Sequence, residues 1–185
     1  MTLRWNWIPN ALTFLRVALI VPFAGALWGE QYRLALAVFA IAAVSDACDG
    51  FLARHYNWRT RLGAIADPLA DKALLITSYL MLTLTGVLPV WLFVLVLGRD
   101  VVIVAGALAF HYGIGRFDMQ PSLLGKFNTL VQILVVLAIM VLLADLPMYL
   151  WVKEVGILLV TLSTVVSGGH YVLVWGMRAW RAKQH

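Results

Sequence analysis

The sequence predicts an all-α, polytopic membrane protein: six transmembrane helices preceded by a short N-terminal interfacial helix. Three observations predict it. Hydrophobic residues make up 63% of the 185-residue chain and mean hydropathy is +0.89, against roughly 45–50% apolar residues in an ordinary soluble domain. These residues are gathered into runs of about 20, the length that crosses a hydrocarbon core of about 30 Å. Basic residues are shared unevenly between the joints, as the excess of Lys and Arg in cytoplasmic loops requires.

Taken in order, the segment holding Arg4, Trp5 and Trp7 mixes basic and aromatic residues and reads as a helix lying on the membrane surface. Apolar runs follow at Ala11–Trp28, Arg33–Ala53, Leu62–Leu84, Pro89–Phe110, Leu124–Leu146 and Trp151–Trp175, separated by short polar or Gly/Pro-bearing joints. The first run has no small-residue cleavage site and further spans follow it, so it reads as a retained helix. Pro22 and Pro68 are expected to kink or start their helices. Trp28, Trp91, Trp151 and Trp175 fall near predicted helix ends, as an aromatic belt does.

Arg4, Arg54, Arg59, Arg61, Arg116, Lys126, Arg178, Arg181 and Lys183 fall on one side of this arrangement, Arg33 and Lys153 on the other. The first side, with both termini, is therefore expected in the cytoplasm. A net charge of +5 in so apolar a chain marks loops and headgroup contacts, not nucleic acid. Cys48 is the single cysteine, so no intramolecular disulfide forms. No soluble domain, long linker or internal repeat is evident, and residues 1–185 read as one integral-membrane domain.

The charges inside the spans point to chemistry. Asp46, Asp49, Asp67 and Asp71 stand in one short segment, and Arg16, Lys72, Arg99 and Asp100 also fall within spans. Each charge at the bilayer centre costs about 2.5–3.5 kcal/mol, so four unpaired carboxylates would cost on the order of 10 kcal/mol. Asp46 and Asp49 are three apart near the end of the second helix; Asp67 and Asp71 are four apart near the start of the third. Such spacings share a helix face, and a rise of 1.5 Å per residue places all four roughly 8–15 Å from the cytoplasmic helix ends. The short joint around His55–Arg61 makes these helices antiparallel, so the two pairs can face each other.

Two divalent cations would neutralise four carboxylates, and oxygen donors suit Mg²⁺, Mn²⁺ or Ca²⁺. A pair of such metals clamps a phosphoryl group. Gly50, Ala53 and Gly63 leave room for a ligand near backbone, and Arg54 suits a phosphate. The competing reading is an ion-pair network in which Arg16, Arg54, Lys72 and Arg99 only hold helices together. It gives the small residues no role.

The spacing D-x2-D-G-x2-A-R-x8-G-x3-D-x3-D, carried by Asp46, Asp49, Gly50, Ala53, Arg54, Gly63, Asp67 and Asp71, resembles the signature of the CDP-alcohol phosphatidyltransferases. The likeness extends to "IPNALTFLR" near the start, to the six spans, to "GRDVV" at Gly98–Val102 and to "PSLLGKFNT" at Pro121–Thr129. The resemblance implies transfer of a phosphatidyl group from CDP-diacylglycerol to an alcohol, with release of CMP. It implies two divalent cations, Mg²⁺ or Mn²⁺, a site facing the cytoplasm (at the inner membrane, if bacterial) and a homodimer among membrane lipids. Asp46, Asp49, Asp67 and Asp71 would be metal ligands, with Asp71 also the general base. Asp49, Gly50, Ala53, Arg54 and Gly63 would bind the CDP moiety.

Arg16, Arg99, Arg116 and Lys126 fall at or within the cytoplasmic half and, on the same resemblance, form the acceptor's phosphate pocket. For Arg99 the bland alternative is a local pair with Asp100. "GRDVV" and "GKFNT" are more similar to the branch whose acceptor is phosphatidylglycerol than to the one using glycerol 3-phosphate, although Gly98 and Gly125 stand where that branch has serine. Phosphatidylglycerol is therefore the expected acceptor and glycerol 3-phosphate the alternative. An ion-coupled transporter is the non-enzyme alternative. It would place its acids nearer the midplane, between repeated halves. His55, His111 and His170 read as interfacial, Cys48 as packing, and Asn10 and Thr13 as either helix caps or cleft residues.

Overall fold

The computed structural model describes the backbone over residues 7–55, 61–113, 122–145 and 151–182, and side chains over 14–45, 69–106, 122–145, 151–174 and 177. Among these residues it is all helical: α1 (Trp7–Trp28), α2 (Tyr32–His55), α3 (Arg61–Leu84), α4 (Val90–Gly113), α5 (Leu123–Leu143) and α6 (Trp151–Ala182). No residue described is in a strand. Each apolar run has become one helix.

Two details differ from expectation, and a third excludes one of two alternatives. Trp7 is not part of a separate interfacial helix but opens α1; Pro9, in the first turn, is tolerated where N–H groups lack helical partners anyway. Arg4 and Trp5 lie outside the described residues. α6 continues past Trp175 to Ala182, because hydropathy marks where the membrane ends, not where a helix of Arg, Ala and Met must stop. Pro68 does not start α3, which begins at Arg61; it lies in the interior, where its missing N–H deprives the Ala64 carbonyl of its usual donor. Pro22, inside α1, does the same to Ala18.

Helix ends are closed by specific backbone geometry. At the end of α1 the Gln31 N–H bonds the Ala26 carbonyl at 2.8 Å and the Glu30 N–H bonds Leu27 at 3.2 Å, a Schellman cap. Its left-handed position is filled by Glu30, at φ 55°. α3 ends in the same way, with Val87 on Leu82 at 2.9 Å and Gly86 on Thr83 at 3.0 Å, and Gly86 takes the left-handed φ of 74° without strain.

The chain forms two compact units. The first comprises 1–87 and 139–148. In it α1 packs against both α2 and α3. Ala26, Ala35, Ala42 and Ala70 are buried there, small enough to bring helix backbones close, and the Phe23 and Phe39 rings meet at 5.8 Å. The second unit comprises 88–138 and 149–185. There α4 packs on α6, with Leu92, Val96, Arg99 and Asp100 of α4, and Val160, Thr164 and Ser167 of α6, among its buried residues. α5 also reaches α6 closely: a β-carbon on Gly156 would stand 2.8 Å from Val135 Cγ1.

Many large apolar side chains face outward, among them Phe14, Val21, Trp91, Leu123, Leu162 and Leu173. Two helices are clearly long and apolar enough to cross a membrane, Leu123–Leu143 and Trp151–Val174. The second is only 17% buried, whereas the core helix of a soluble protein is mostly buried. Phe14–Trp28 and Tyr32–Ser45 are shorter apolar stretches.

Candidate functional site

The first unit carries the aspartates. Asp46 and Asp49 lie on α2, nine and six residues before its end at His55; Asp67 and Asp71 lie on α3, six and ten residues after its start at Arg61. At 1.5 Å per residue the two pairs stand at similar depths, about 9–15 Å from the joint between the helices. The side chains of Asp46, Asp49, Gly50, Ala53, Arg54, Gly63 and Asp67 lie outside the described residues, as does the facing of the carboxylates expected from sequence. Arg116 and the side chain of His111 also lie outside them.

Asp71 is described, and it is not alone. The Arg16 guanidinium of α1 donates through Nη1 to Asp71 Oδ1. The Arg16 side chain is 1% exposed and that of Asp71 is 47% exposed. The arginine is the buried support and the carboxylate is the group presented outward. The sequence places Arg16 in the acceptor's phosphate pocket; among the described residues it pairs with Asp71, inside the first unit. Among the described residues no three His, Cys, Asp or Glu side chains come together to hold a metal. The four carboxylates expected from sequence as donors are oxygen ligands of the kind that fits Mg²⁺ or Mn²⁺, and Asp71, the one whose side chain is described, is exposed.

The second unit carries the other arginine. Arg99 on α4 donates from Nη1 to Asp100 Oδ1 at 2.7 Å and from Nη2 to Ser167 Oγ of α6 at 2.7 Å. Both members of the ion pair are buried, at 7% and 9% side-chain exposure. The guanidinium carbon lies 5.7 Å from the Tyr171 ring centroid, within cation–π range. Arg99 Nε has no hydrogen-bond partner among the described residues. Ser122 caps α5: its hydroxyl accepts from the Gly125 N–H at 3.0 Å, and its own N–H donates to the Tyr171 hydroxyl at 3.1 Å. Lys126 is exposed in the first turn of α5. The local Arg99–Asp100 pair weighed from sequence is present.

Sequence reasoning missed Ser167 and Tyr171, as well as a buried polar group one turn deeper. There the Asn128 side-chain oxygen accepts from Ser163 Oγ at 2.8 Å and Thr164 Oγ1 at 3.0 Å, with Gln132 donating to Thr164 at 3.4 Å. The available signal was the three-and-four spacing of Ser163, Thr164, Ser167 and Tyr171 on an otherwise apolar helix. A different cleft, of about 380 Å³, is lined by Glu30, Gln31, Tyr32, Arg33 and Asp145 at the other end of α2, away from the aspartates.

Comparison with known proteins bears on both units. The family model for CDP-alcohol phosphatidyltransferase matches residues 6–175. The chain is 33% identical to human cardiolipin synthase (CMP-forming) over 147 residues, 71% of this chain and 49% of that protein. It is 35% identical to a Mycobacterium tuberculosis protein named "Probable phosphatidylglycerophosphate synthase" over 171 residues, 89% of this chain and 79% of that one. An Aquifex aeolicus CDP-diacylglycerol–glycerol-3-phosphate 3-phosphatidyltransferase is 36% identical over 66% of this chain and 69% of its own length. The chain spans about half the length of the human relative.

Proposed function

The chain belongs to the CDP-alcohol phosphatidyltransferase family, and from that premise we propose that it transfers a phosphatidyl group from CDP-diacylglycerol to phosphatidylglycerol, releasing CMP. One observation carries the reading: the family's spaced aspartates fall on two helix segments of matching depth, and the one whose side chain is described presents an exposed carboxylate on a buried arginine.

In the proposed reaction the acceptor hydroxyl oxygen attacks the phosphorus that bears the diacylglycerol. The bond from that phosphorus to the CMP oxygen breaks, and CMP leaves with the electron pair. Asp71 accepts the hydroxyl proton, which makes the oxygen a better nucleophile as the new bond forms. Arg16 holds the Asp71 carboxylate in one orientation. Asp46, Asp49, Asp67 and Asp71 would hold two divalent cations, which when bound supply positive charge against the diphosphate. Asp49, Gly50, Ala53, Arg54 and Gly63 line the CDP pocket. Arg99, Lys126 and Arg116 receive the acceptor's phosphate.

We further infer one catalytic domain of six membrane spans, with both termini and the site on the cytoplasmic side, acting as a homodimer. The family match across both units supports a single domain, and the outward apolar side chains support spans beyond the two clear ones. A second reading has its own support: the mycobacterial relative matches 89% of this chain, which favours glycerol 3-phosphate as acceptor.

Purified protein with CDP-diacylglycerol and Mg²⁺ or Mn²⁺, given phosphatidylglycerol in one reaction and glycerol 3-phosphate in another, decides between them. Cardiolipin and CMP from phosphatidylglycerol alone is the expected result. Product from glycerol 3-phosphate alone moves the acceptor and keeps the family chemistry. CMP from neither overturns both acceptors.

A further inference from the structure

Gly125 and Tyr171 carry no charge and stand outside the aspartate signature, yet the groups around Arg99 converge on them. A β-carbon on Gly125 would stand 3.1 Å from the Tyr171 hydroxyl, 3.2 Å from Arg99 Nη2 and 3.2 Å from Ser122 Oγ. All three contacts are tighter than a carbon normally makes, and they come from α6, α4 and the cap of α5. Any side chain at 125 must displace at least one of them. Gly98, the neighbour of Arg99, is the contrast: a β-carbon there would meet nothing within 4 Å.

We propose that Gly125 and Tyr171 are positioning residues for Arg99, the glycine by leaving clearance and the tyrosine by joining the guanidinium to the N-terminus of α5. Tyr171 works from both ends. Its ring flanks the guanidinium at 5.7 Å, and its hydroxyl accepts the Ser122 N–H at 3.1 Å. Arg99 and the first turn of α5, which carries Lys126, are thereby fixed relative to each other. Nη1 is drawn to Asp100 and Nη2 to Ser167, so the guanidinium plane is set. Its buried Nε–H has no partner among the described residues and suits an anionic oxygen. The inference rests on the reading of Arg99 and Lys126 as the acceptor-phosphate pocket, and it adds the residues that determine how tightly that phosphate is held.

Steady-state transfer by Gly125→Ala, Tyr171→Phe and the control Gly98→Ala tests it, with acceptor and CDP-diacylglycerol varied separately. Gly125→Ala is expected to raise the acceptor KM up to about tenfold: a misplacement of about 1 Å in a positioned site can cost about a hundredfold, and contacts at 3.1–3.2 Å require a smaller shift. Its kcat and its KM for CDP-diacylglycerol stay within about twofold, the signature of lost binding rather than lost chemistry. Tyr171→Phe keeps the ring and loses the cap contact, and raises the acceptor KM about threefold. Gly98→Ala behaves as wild type. A Gly125→Ala enzyme matching Gly98→Ala, or one losing kcat and both KM values together, overturns the proposal. If the wild type releases no CMP with either acceptor, the transfer reading falls separately, and inorganic phosphate becomes the probe. Phosphate is then expected to raise the Tm of wild type and Gly98→Ala but not of Gly125→Ala, and an equal effect on all three overturns the positioning role.

Discussion

Two arginine–aspartate pairs among the described residues are built in opposite senses. In the first unit Arg16 and Asp71 come from different helices; the arginine is buried and the Asp71 side chain is 47% exposed. In the second, Arg99 and Asp100 are chain neighbours and both are buried, and further contacts from Ser167 and Tyr171 gather on the arginine. The first pair supports a presented negative charge, as a metal- and proton-handling centre requires. The second supports a fixed positive charge, as a phosphate anchor requires. A polar group in a membrane domain is expensive unless paired, and the proposed function assigns the work to a different member of each pair, Asp71 in one and Arg99 in the other.

The largest test of that contrast is Asp71→Asn. Loss of a general base lowers turnover by roughly 10²–10⁴-fold, and transfer should fall by that much while circular dichroism keeps its helical signal. Near-normal transfer would remove Asp71 from the chemistry and leave the pair as a helix clasp. Arg16→Ala comes next. It withdraws the buried support from a half-exposed carboxylate, and about 1–3 kcal/mol of stability should go with it, together with about tenfold in kcat. Arg16→Lys, which keeps the charge but not the planar fork, should fall between.

Gly156→Ala probes packing in the second unit alone. Its β-carbon would be 2.8 Å from Val135 Cγ1, and β-branched valine yields little. Denaturation in detergent should show about 1–3 kcal/mol of destabilisation from overpacking, with the acceptor KM unchanged. Acceptor KM moving with this substitution would mean that the Arg99 site follows general packing rather than its own contacts. The smallest effect is expected from Glu30→Gly. A non-glycine residue occupies a left-handed cap at φ 55°, and relieving it should stabilise the first unit by about 0.5–1 kcal/mol without touching transfer.

How far these features can be read from sequence differs between the two units. The aspartates and their depth were legible because one helix follows the other across a short joint, so spacing along the chain translates into height along the helices. The six helices were legible because apolar runs about 20 residues long have few other solutions. The partner of Arg16 was not: it is 55 residues away on α3, and apolar helices with little amphipathic pattern do not show which face turns inward. The setting of Arg99 depends on Ser167, 68 residues away, and on Tyr171, whose approach follows from the rotation of α6, which the sequence does not reveal. The run of α6 to Ala182 was hidden because the charges that end a hydrophobic span do not end a helix.

The most direct test of the aspartate site is its dependence on divalent cations. Purified protein stripped with a chelator would be given CDP-diacylglycerol and acceptor, and CMP release followed as Mg²⁺ or Mn²⁺ is returned. Release should be absent after stripping and return with either cation in the wild type. In Asp71→Asn it should stay about 10²-fold or more lower at every cation concentration. Full transfer by the stripped protein would contradict a metal-holding quartet of Asp46, Asp49, Asp67 and Asp71.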